Sequence, residues 1–272
     1  MKKSITILCL LLVGLLSFAA IQPLSGIFVS ASVAPVVFCP NNFQQGTDTQ
    51  YEIWVSEATC GYIVSMLASR YYPVGCYYSF NDDCTNYHYL DLLDWLQYYY
   101  DQSVVFSKGH RNIPYSNPLH ISLLDHDGYD IIDNYYGDDI YDVTSSENVF
   151  TFIWHCQTAQ YYSKPIVPDG NGHYHGMPFC WTHNDDLDCW GDSGTQVYLG
   201  WAEGSPQFEY TANYPYNYAH VAYYFWYYMC DGATVEEALN DIAVGIFGDE
   251  SYLQSPLCDW LIVWGDRTST LP

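Results

Sequence analysis

Residues 149–156 read Val-Phe-Thr-Phe-Ile-Trp-His-Cys, and this segment carries the strongest structural signal in the chain. Its first six residues are β-branched or aromatic, which predicts a short buried strand. Cys156 follows the strand directly, and open α/β sheets hold ligands and reactive groups at the carboxyl ends of their strands. Residues 103–110, Ser-Val-Val-Phe-Ser-Lys-Gly-His, have the same form. If the two strands are parallel neighbours, His110 and Cys156 lie at the same edge of the sheet.

The segments around these two strands have the pattern of an α/β protein. Residues 85–99 place leucines and Trp95 at helical spacing just before the strand at 104–107. The acidic residues 125–142 are long enough for a crossover between parallel strands, with a helix predicted at 131–136. We therefore expect a three-layer α/β/α sandwich with a mostly parallel sheet.

The remaining elements are predicted from local patterns. Further strands are expected at 75–80, 120–124, 196–201 and 258–264. Helices are expected at 56–68 with Ser56 as N-cap, at 217–230 with Gly232 as C-cap, and at 234–243 with a capping box. Two segments are expected to be irregular, residues 33–50 and residues 161–190.

The N-terminus has the features of a secretory signal peptide. A basic start, Met-Lys-Lys, precedes an apolar run over residues 5–20. We expect cleavage between positions 20 and 34, so that residues 1–34 are the signal and residues 35–272 form one domain. The alternative is an uncleaved anchor helix, because apolar residues continue to about Val37. The protein is therefore expected to be secreted, extracellular or at the cell surface.

The charge of the chain excludes one class of partner. Without its two N-terminal lysines the chain has five basic residues against 31 acidic ones. Nucleic-acid binding depends on Lys and Arg at phosphates, so no nucleic-acid partner is expected. No segment after the signal approaches the length of about 18 apolar residues that a membrane span requires. No integral membrane domain is therefore expected after signal cleavage.

Nine cysteines remain once the one inside the signal is removed. An oxidising compartment favours disulfides, and an odd count leaves at least one thiol unpaired. Cys156 is the candidate for that thiol because it stands at a strand end, which leaves eight cysteines for up to four bridges. Cys76 with Cys84, and Cys180 with Cys189, are close enough to close local loops, although sequence does not fix the connectivity.

In their order and spacing, these segments resemble the caspase–gingipain–clostripain superfamily of cysteine peptidases. The histidine block is Val-Val-Phe-Ser-Lys-Gly-His110, and the cysteine block is Phe-Thr-Phe-Ile-Trp-His-Cys156. Behind them come the strand that ends at Trp201, the helix at 217–230, and a final strand with Trp-Gly-Asp. The resemblance runs from about residue 51 to the C-terminus and implies the caspase-like form of the α/β/α fold.

The resemblance implies a hydrolytic mechanism with a His/Cys dyad. Cys156 attacks a carbonyl as its thiolate, and His110 exchanges protons with the thiol and the leaving amine. Backbone N–H groups of Gly109 and Cys156 stabilise the oxyanion. The chemistry requires no cofactor.

The same resemblance implies where a substrate binds. The specificity pocket lies between the loop after Cys156 and the segment at Trp201, and the substrate is a peptide or a protein. Glu203 and Asp192 are candidates for holding a basic side chain. Cleavage after Arg or Lys is therefore the expected preference.

Two candidate metal sites stand apart from the dyad. Asp125, Asp127 and Asp130 supply oxygen ligands suited to a structural calcium ion, although the spacing is not that of an EF-hand. The alternative for this segment is a solvated acidic face.

The second candidate metal site would bind zinc. It comprises His173, His175, Cys180 and His183. A disulfide between Cys180 and Cys189 with unligated histidines is the favoured alternative, because the compartment is oxidising.

Two other functions are alternatives to the peptidase. Residues 189–194, Cys-Trp-Gly-Asp-Ser-Gly, resemble the nucleophile segment of trypsin-like serine peptidases, but only 38 residues separate His155 from Ser193, too few for the two barrels of that fold. The alternative from a different class is a catalytically inactive, disulfide-stapled binding or adhesion module. Exposed aromatic patches would then bind a glycan or a protein.

Overall fold

The computed structural model describes residues 32–40, 48–112, 122–126, 128, 130–132, 139–159, 176–184, 187, 195–209 and 216–272. In chain order the strands are β1 (Val33–Cys39), β2 (Tyr77–Phe80), β3 (Gln102–Lys108), β4 (Arg111–Asn112), β5 (Ser122–Leu124), β6 (Asp130–Ile132), β7 (Asn148–Trp154), β8 (Val197–Trp201) and β9 (Leu261–Gly265). The helices are α1 (Gln50–Arg70), α2 (Asn86–Tyr99), α3 (Asp139–Val143), α4 (Met177–Thr182), α5 (Tyr218–Asp231) and α6 (Val235–Ile242). None of the described helices is long and apolar enough to cross a membrane.

The main sheet has six strands in the order β2-β1-β3-β7-β8-β9. All neighbours pair in parallel except β8 and β9, which are antiparallel. A small antiparallel sheet, β4-β5-β6, follows the carboxyl end of β3. This arrangement confirms the predicted α/β class and the mostly parallel sheet, and it confirms that the strands before His110 and Cys156 are parallel neighbours.

Helices cover both faces of the main sheet. Residues of α1, α5 and α6 join one buried cluster on one face, and residues of α2, α3 and α4 join a second cluster on the other. Every residue of β7 is buried, because this strand lies in the interior of the sheet under both layers. Aromatic side chains fill the first cluster, where Phe106 packs against Phe152 and Trp226 at ring-centroid distances of 5.6 Å.

The first strand differs from the prediction that residues 33–50 are irregular. β1 occupies residues 33–39 and lies between β2 and β3, not at a sheet edge. Pro35 favoured the irregular prediction because proline removes a donor from a strand ladder. The strand nevertheless forms, because its last six residues are buried by the two helical layers.

The first helix begins earlier than predicted. It starts at Gln50 with Thr49 as N-cap, whose side chain accepts a hydrogen bond from the Glu52 N–H at 3.0 Å. Ser56, the predicted N-cap, is buried inside the helix and donates to the Glu52 carboxylate. The prediction was wrong because Thr49, with Glu52 three residues later, is the same kind of local helix-start signal and lies seven residues earlier.

Other local predictions have mixed outcomes. The C-cap at Gly232 is confirmed, as is the capping box between Thr234 and Glu237. The structure adds N-caps at Thr85 and Asn217, where the sequence predicted only that helices begin. In contrast, the helix predicted at 131–136 is wrong at its start, where residues 130–132 form β6. Residues 177–182 form α4 within the segment that was predicted to be irregular.

Candidate active site

The two central strands bring the predicted dyad to one edge of the sheet. The register of β3 against β7 ends with Lys108 opposite Trp154, two residues before His110 and Cys156. The Gly109 N–H extends this ladder by donating to the Trp154 carbonyl oxygen at 3.3 Å. His110 and Cys156 therefore follow neighbouring parallel strands at the same carboxyl edge.

An aspartate that the sequence analysis did not identify orients the His110 ring. The Asp48 Oδ1 atom lies 2.7 Å from His110 Nε2, and the Asp48 side chain is buried whereas 22% of the His110 side chain is exposed. The Nε2–H donates to the carboxylate, which fixes the tautomer of the neutral ring. Nδ1 is then the nitrogen that can accept a proton from a thiol.

The backbone around His110 is held by a second histidine. His155 is fully buried, and its Nδ1–H donates to the His110 carbonyl oxygen at 2.6 Å, while its Nε2 accepts from the Ser107 hydroxyl at 2.9 Å. Burial lowers the pKa of His155 to about 3, although the bond to His110 acts in the other direction. His155 is therefore a neutral residue that supports the position of His110.

Position 109 requires glycine because the His155 ring lies very close to its backbone. A Cβ atom at Gly109 would stand 2.7 Å from His155 Cε1 and 3.1 Å from Pro40 Cγ. Both neighbours belong to packed side chains, so any larger residue would displace them. Glycine at position 109 therefore allows the chain that follows β3 to pack against His155 immediately before His110.

The Cys156 thiol lies against the segment that follows β8. Cys156 Sγ accepts a hydrogen bond from the Ser205 N–H at 3.2 Å and lies 3.4 Å from the Ser205 hydroxyl. The next residue, Gln157, has a left-handed backbone (φ 59°), and its N–H donates to the Glu203 carbonyl oxygen at 2.8 Å. An N–H donor directed at sulfur stabilises a thiolate, and the turn holds the sulfur at the sheet edge.

A buried ion pair joins helix α1 to strand β3. Lys108 Nζ lies 2.7 Å from Glu52 Oε1, and both side chains are at most 4% exposed. The same carboxylate accepts hydrogen bonds from the Ser56 hydroxyl and from the backbone N–H groups of Phe208 and Glu209. The pair therefore satisfies the rule that a buried charge needs both a partner and further hydrogen bonds.

The pKa shifts of the pair agree that both groups are charged. Burial acts to raise the pKa of Glu52, but the Lys108 ammonium and the hydrogen-bond donors bring it below its usual value. Burial acts to lower the pKa of Lys108, but the carboxylates of Glu52 and Asp48 raise it above its usual value. The result is a charged link between the histidine strand and the segment that contacts Cys156.

Several predicted roles need correction or remain untested. The Gly109 N–H cannot serve as an oxyanion donor, because it is already bonded to Trp154. Trp201 cannot contact a substrate with its side chain, because it is fully buried and packs on Trp154 at 4.7 Å. Glu203 is exposed beside the Cys156 turn, as the prediction requires. Asp192 lies outside the described residues.

The predicted calcium site is only partly described. Asp125 is buried and its carboxylate accepts from the Asn86 N–H at 3.0 Å, at the first residue of α2. Asp127 lies outside the described residues, and only the backbone of Asp130 is described. Within the described ranges no group of three potential ligands could hold a metal ion. Calcium at this segment stays a prediction.

The structure describes two of the four residues of the predicted zinc site. His183 Nε2 lies 3.1 Å from the Thr144 hydroxyl, and its ring stacks on Tyr141 at 4.0 Å. Cys180 is buried in the second core cluster. His173 and His175 lie outside the described residues, as does Cys189, the predicted disulfide partner of Cys180.

The residues that support the dyad are not predicted by the sequence patterns. Glu52 and Lys108 left a weak signal, because each is a charged residue at a position that the apolar pattern predicts to be buried. Asp48 and Ser205 left none, because each contacts its partner across a sequence separation of about 50 residues or more. Their roles follow only from the folded chain.

No model of a known protein family matches the chain, and no curated protein sequence is significantly similar to it. The caspase-like resemblance therefore rests on the sequence motifs alone, and membership of that superfamily stays a prediction.

Proposed function

We propose that the chain is a secreted cysteine endopeptidase with a caspase-like fold, in which Cys156 is the nucleophile and His110 the general acid and base. The observation that carries the proposal is the 2.7 Å contact between His110 Nε2 and the buried Asp48 carboxylate. A histidine oriented by a carboxylate, at the same carboxyl edge of the sheet as a cysteine, supports a nucleophile and base with a third orienting group.

The proposed mechanism uses this chain's own groups. His110 Nδ1 accepts the Cys156 thiol proton, and the Ser205 N–H stabilises the thiolate through its 3.2 Å bond to sulfur. The thiolate attacks the substrate carbonyl carbon, and the Cys156 N–H donates to the oxyanion. His110 then protonates the leaving amine as the C–N bond breaks. Water, deprotonated by His110, hydrolyses the thioester and restores the thiol.

The substrate preference is proposed to be a basic residue before the cleaved bond. Glu203 supports this preference because it is exposed and its carbonyl oxygen holds the residue after Cys156. An acidic chain, with a net charge of −24, also favours cationic substrates. A structural calcium ion bound by the segment of Asp125, Asp127 and Asp130 is proposed as a stabilising ligand outside the chemistry.

The proposal is tested by hydrolysis of reporter peptides that carry Arg, Lys or a neutral residue before the bond. Cys156→Ser and His110→Ala should abolish hydrolysis. Asp48→Asn should lower kcat by roughly 100-fold with little change in KM, since it removes an orienting group. The matched control is Asp82→Asn, which removes an exposed carboxylate 2.9 Å from His126 and should leave kcat unchanged.

Two results would overturn parts of this proposal. Hydrolysis that persists in Cys156→Ser would exclude the dyad. Equal hydrolysis of basic and neutral reporter peptides would exclude the basic preference, and it would leave the dyad in place.

An aromatic groove favours a second candidate function, a binding module without catalysis. The groove has a volume of about 600 Å³ and lies between α1 and α5. Its most exposed rings are Trp54 and Tyr62, both 61% exposed, and Tyr51, 52% exposed. No Asp, Glu, Lys or Arg stands among the described residues that line it. In so acidic a protein, an uncharged aromatic groove suits a neutral ligand such as a glycan.

The two candidate functions are separated by one set of variants. Trp54→Ala with Tyr62→Ala should weaken retention on an immobilised neutral polysaccharide if the groove binds a glycan, and it should leave peptide hydrolysis unchanged. Cys156→Ser should abolish peptide hydrolysis and leave retention on the polysaccharide unchanged. Retention that is unaffected by the groove variant would remove the binding function.

A further inference from the structure

Two cysteines that have no role in the proposed chemistry lie close together in the protein core. Cys39 is the last residue of β1 and Cys60 lies in the middle of α1, and both are fully buried. Both belong to the same core cluster, between the sheet and its α1 layer. The Cys60 thiol hydrogen-bonds Cys39, and burial with this contact raises the pKa of Cys60 well above its usual value.

The direction of each side chain supports the pairing. Alternate residues of β1 face opposite layers: Val37 and Cys39 join the cluster under α1, whereas Phe38 joins the other cluster. Cys60 belongs to the same cluster, so both side chains lie between the sheet and α1.

The same geometry argues against the nearest competing pairings. Cys84 is buried in the cluster on the opposite face, where its sulfur is hydrogen-bonded by Ser79 and by the Cys39 backbone. Cys76 packs against the Cys39 side of the sheet. The local bridge between Cys76 and Cys84 that the sequence suggested would therefore have to join opposite faces.

We propose that Cys39 and Cys60 form a disulfide that ties the carboxyl end of β1 to helix α1. Two thiols that are already in contact require only side-chain rotation and a small approach to reach bonding geometry. In the secretory route proposed above, a pair of this kind is expected to be oxidised.

The oxidant is a low-molecular-weight disulfide of the glutathione class. One cysteine thiolate attacks it, forming a mixed disulfide and releasing one small thiol. The other thiolate then attacks the protein sulfur of the mixed disulfide and releases the second small thiol. Two electrons pass from the protein to the oxidant, and the two cysteine protons end on the released thiols. Because both sulfurs are fully buried once α1 has packed, the exchange takes place during folding.

The bridge closes the part of the chain that positions His110. Residues 40–59 lie between the two cysteines and include Asp48, which binds the His110 ring, and Glu52, which binds Lys108. A bridge across this segment restricts the unfolded chain and holds both carboxylates near β3. The effect on His110 rests on the proposed peptidase chemistry, whereas the bridge itself rests only on the proposed secretion.

The test is a thiol map of the full mature chain, refolded with a mixture of oxidised and reduced glutathione. The protein is denatured without reduction, alkylated, digested at acidic pH and analysed by mass spectrometry. We expect Cys39 and Cys60 to escape alkylation and to appear in one cross-linked peptide pair, lighter than the two thiol peptides by two hydrogen atoms. Alkylation of both residues, or a link from Cys39 to another cysteine, would overturn the proposal.

Variants make the assignment specific. Cys60→Ser should expose Cys39 to alkylation in the denatured, unreduced protein, whereas the matched control Cys258→Ser should leave the Cys39–Cys60 peptide intact. Cys39 that stays protected in Cys60→Ser would show that it has another partner. Reporter hydrolysis is measured on the wild-type samples. Absence of the Cys39–Cys60 link with hydrolysis retained refutes the disulfide alone, and an intact link without hydrolysis refutes the peptidase alone.

Discussion

At the scale of single residues, Gly109 shows how closely the histidine strand is packed. An added Cβ would stand 2.7 Å from the buried His155 ring, so Gly109→Ala should destabilise the protein by roughly 1–3 kcal/mol. The displaced ring would also release the His110 carbonyl, and hydrolysis should fall. Denaturant unfolding and reporter hydrolysis measure the two effects.

The matched control for Gly109 is Gly61 in the middle of α1. A Cβ at Gly61 has no described neighbour within 4 Å, so Gly61→Ala should stabilise the helix by about 0.5–1 kcal/mol and leave hydrolysis unchanged. If the two substitutions had equal effects on stability, the close contact at Gly109 would not be the cause.

His155 predicts how stability depends on pH. Its pKa in the folded protein is about 3, against an ordinary value of 6.5. As the pH falls below 6.5 the unfolded chain binds a proton that the folded chain refuses until about pH 3, so this contribution to stability is lost across that interval. His155→Asn, which cannot titrate there, should show a shallower fall in unfolding free energy between pH 6.5 and pH 4. An unchanged slope would contradict the assignment of His155 as neutral and buried.

At the scale of elements, the Glu52–Lys108 pair connects α1, β3 and the segment at 205–209. Glu52→Gln leaves the Lys108 ammonium buried without its hydrogen-bonded counter-charge, which should cost about 3–5 kcal/mol. Glu52→Gln combined with Lys108→Met removes both charges and should recover much of that loss. Urea unfolding of the wild type, the two single variants and the double variant gives the coupling energy. A double variant no more stable than Glu52→Gln would contradict the ion-pair account.

The elements also show where local sequence patterns succeed. Helix α6 was predicted at its start because its capping box lies within four consecutive residues, Thr234 to Glu237. The start of α1 has a similar local pair, Thr49 and Glu52, but the Glu52 carboxylate accepts from Lys108 and Phe208, which lie far away in sequence, and its helix start was not predicted. Local signals therefore predict a helix start when its contacts lie within the helix. Where the contacts are tertiary, a local signal is not sufficient.

At the scale of the whole molecule, the sequence predicted the class of sheet and the edge at which His110 and Cys156 lie. It did so because β3 and β7 are buried on both faces, and such strands read as continuous apolar runs. Asp48 and Ser205 could not be predicted, since nothing in a single sequence brings residues 48 and 205 to that edge. These two residues lie outside the helices and strands, and their positions follow from the packing of the sheet and helices.

The central claim is that Cys156 is a reactive thiol activated by His110. The most direct measurement is the rate of iodoacetamide labelling in the folded, unreduced protein, mapped by mass spectrometry. Cys258 is an internal reference, because it is partly exposed and burial raises its pKa. We predict that Cys156 labels faster than Cys258 at neutral pH, and that His110→Ala slows Cys156 while leaving Cys258 unchanged. Equal labelling rates, or Cys156 found in a disulfide, would contradict the claim.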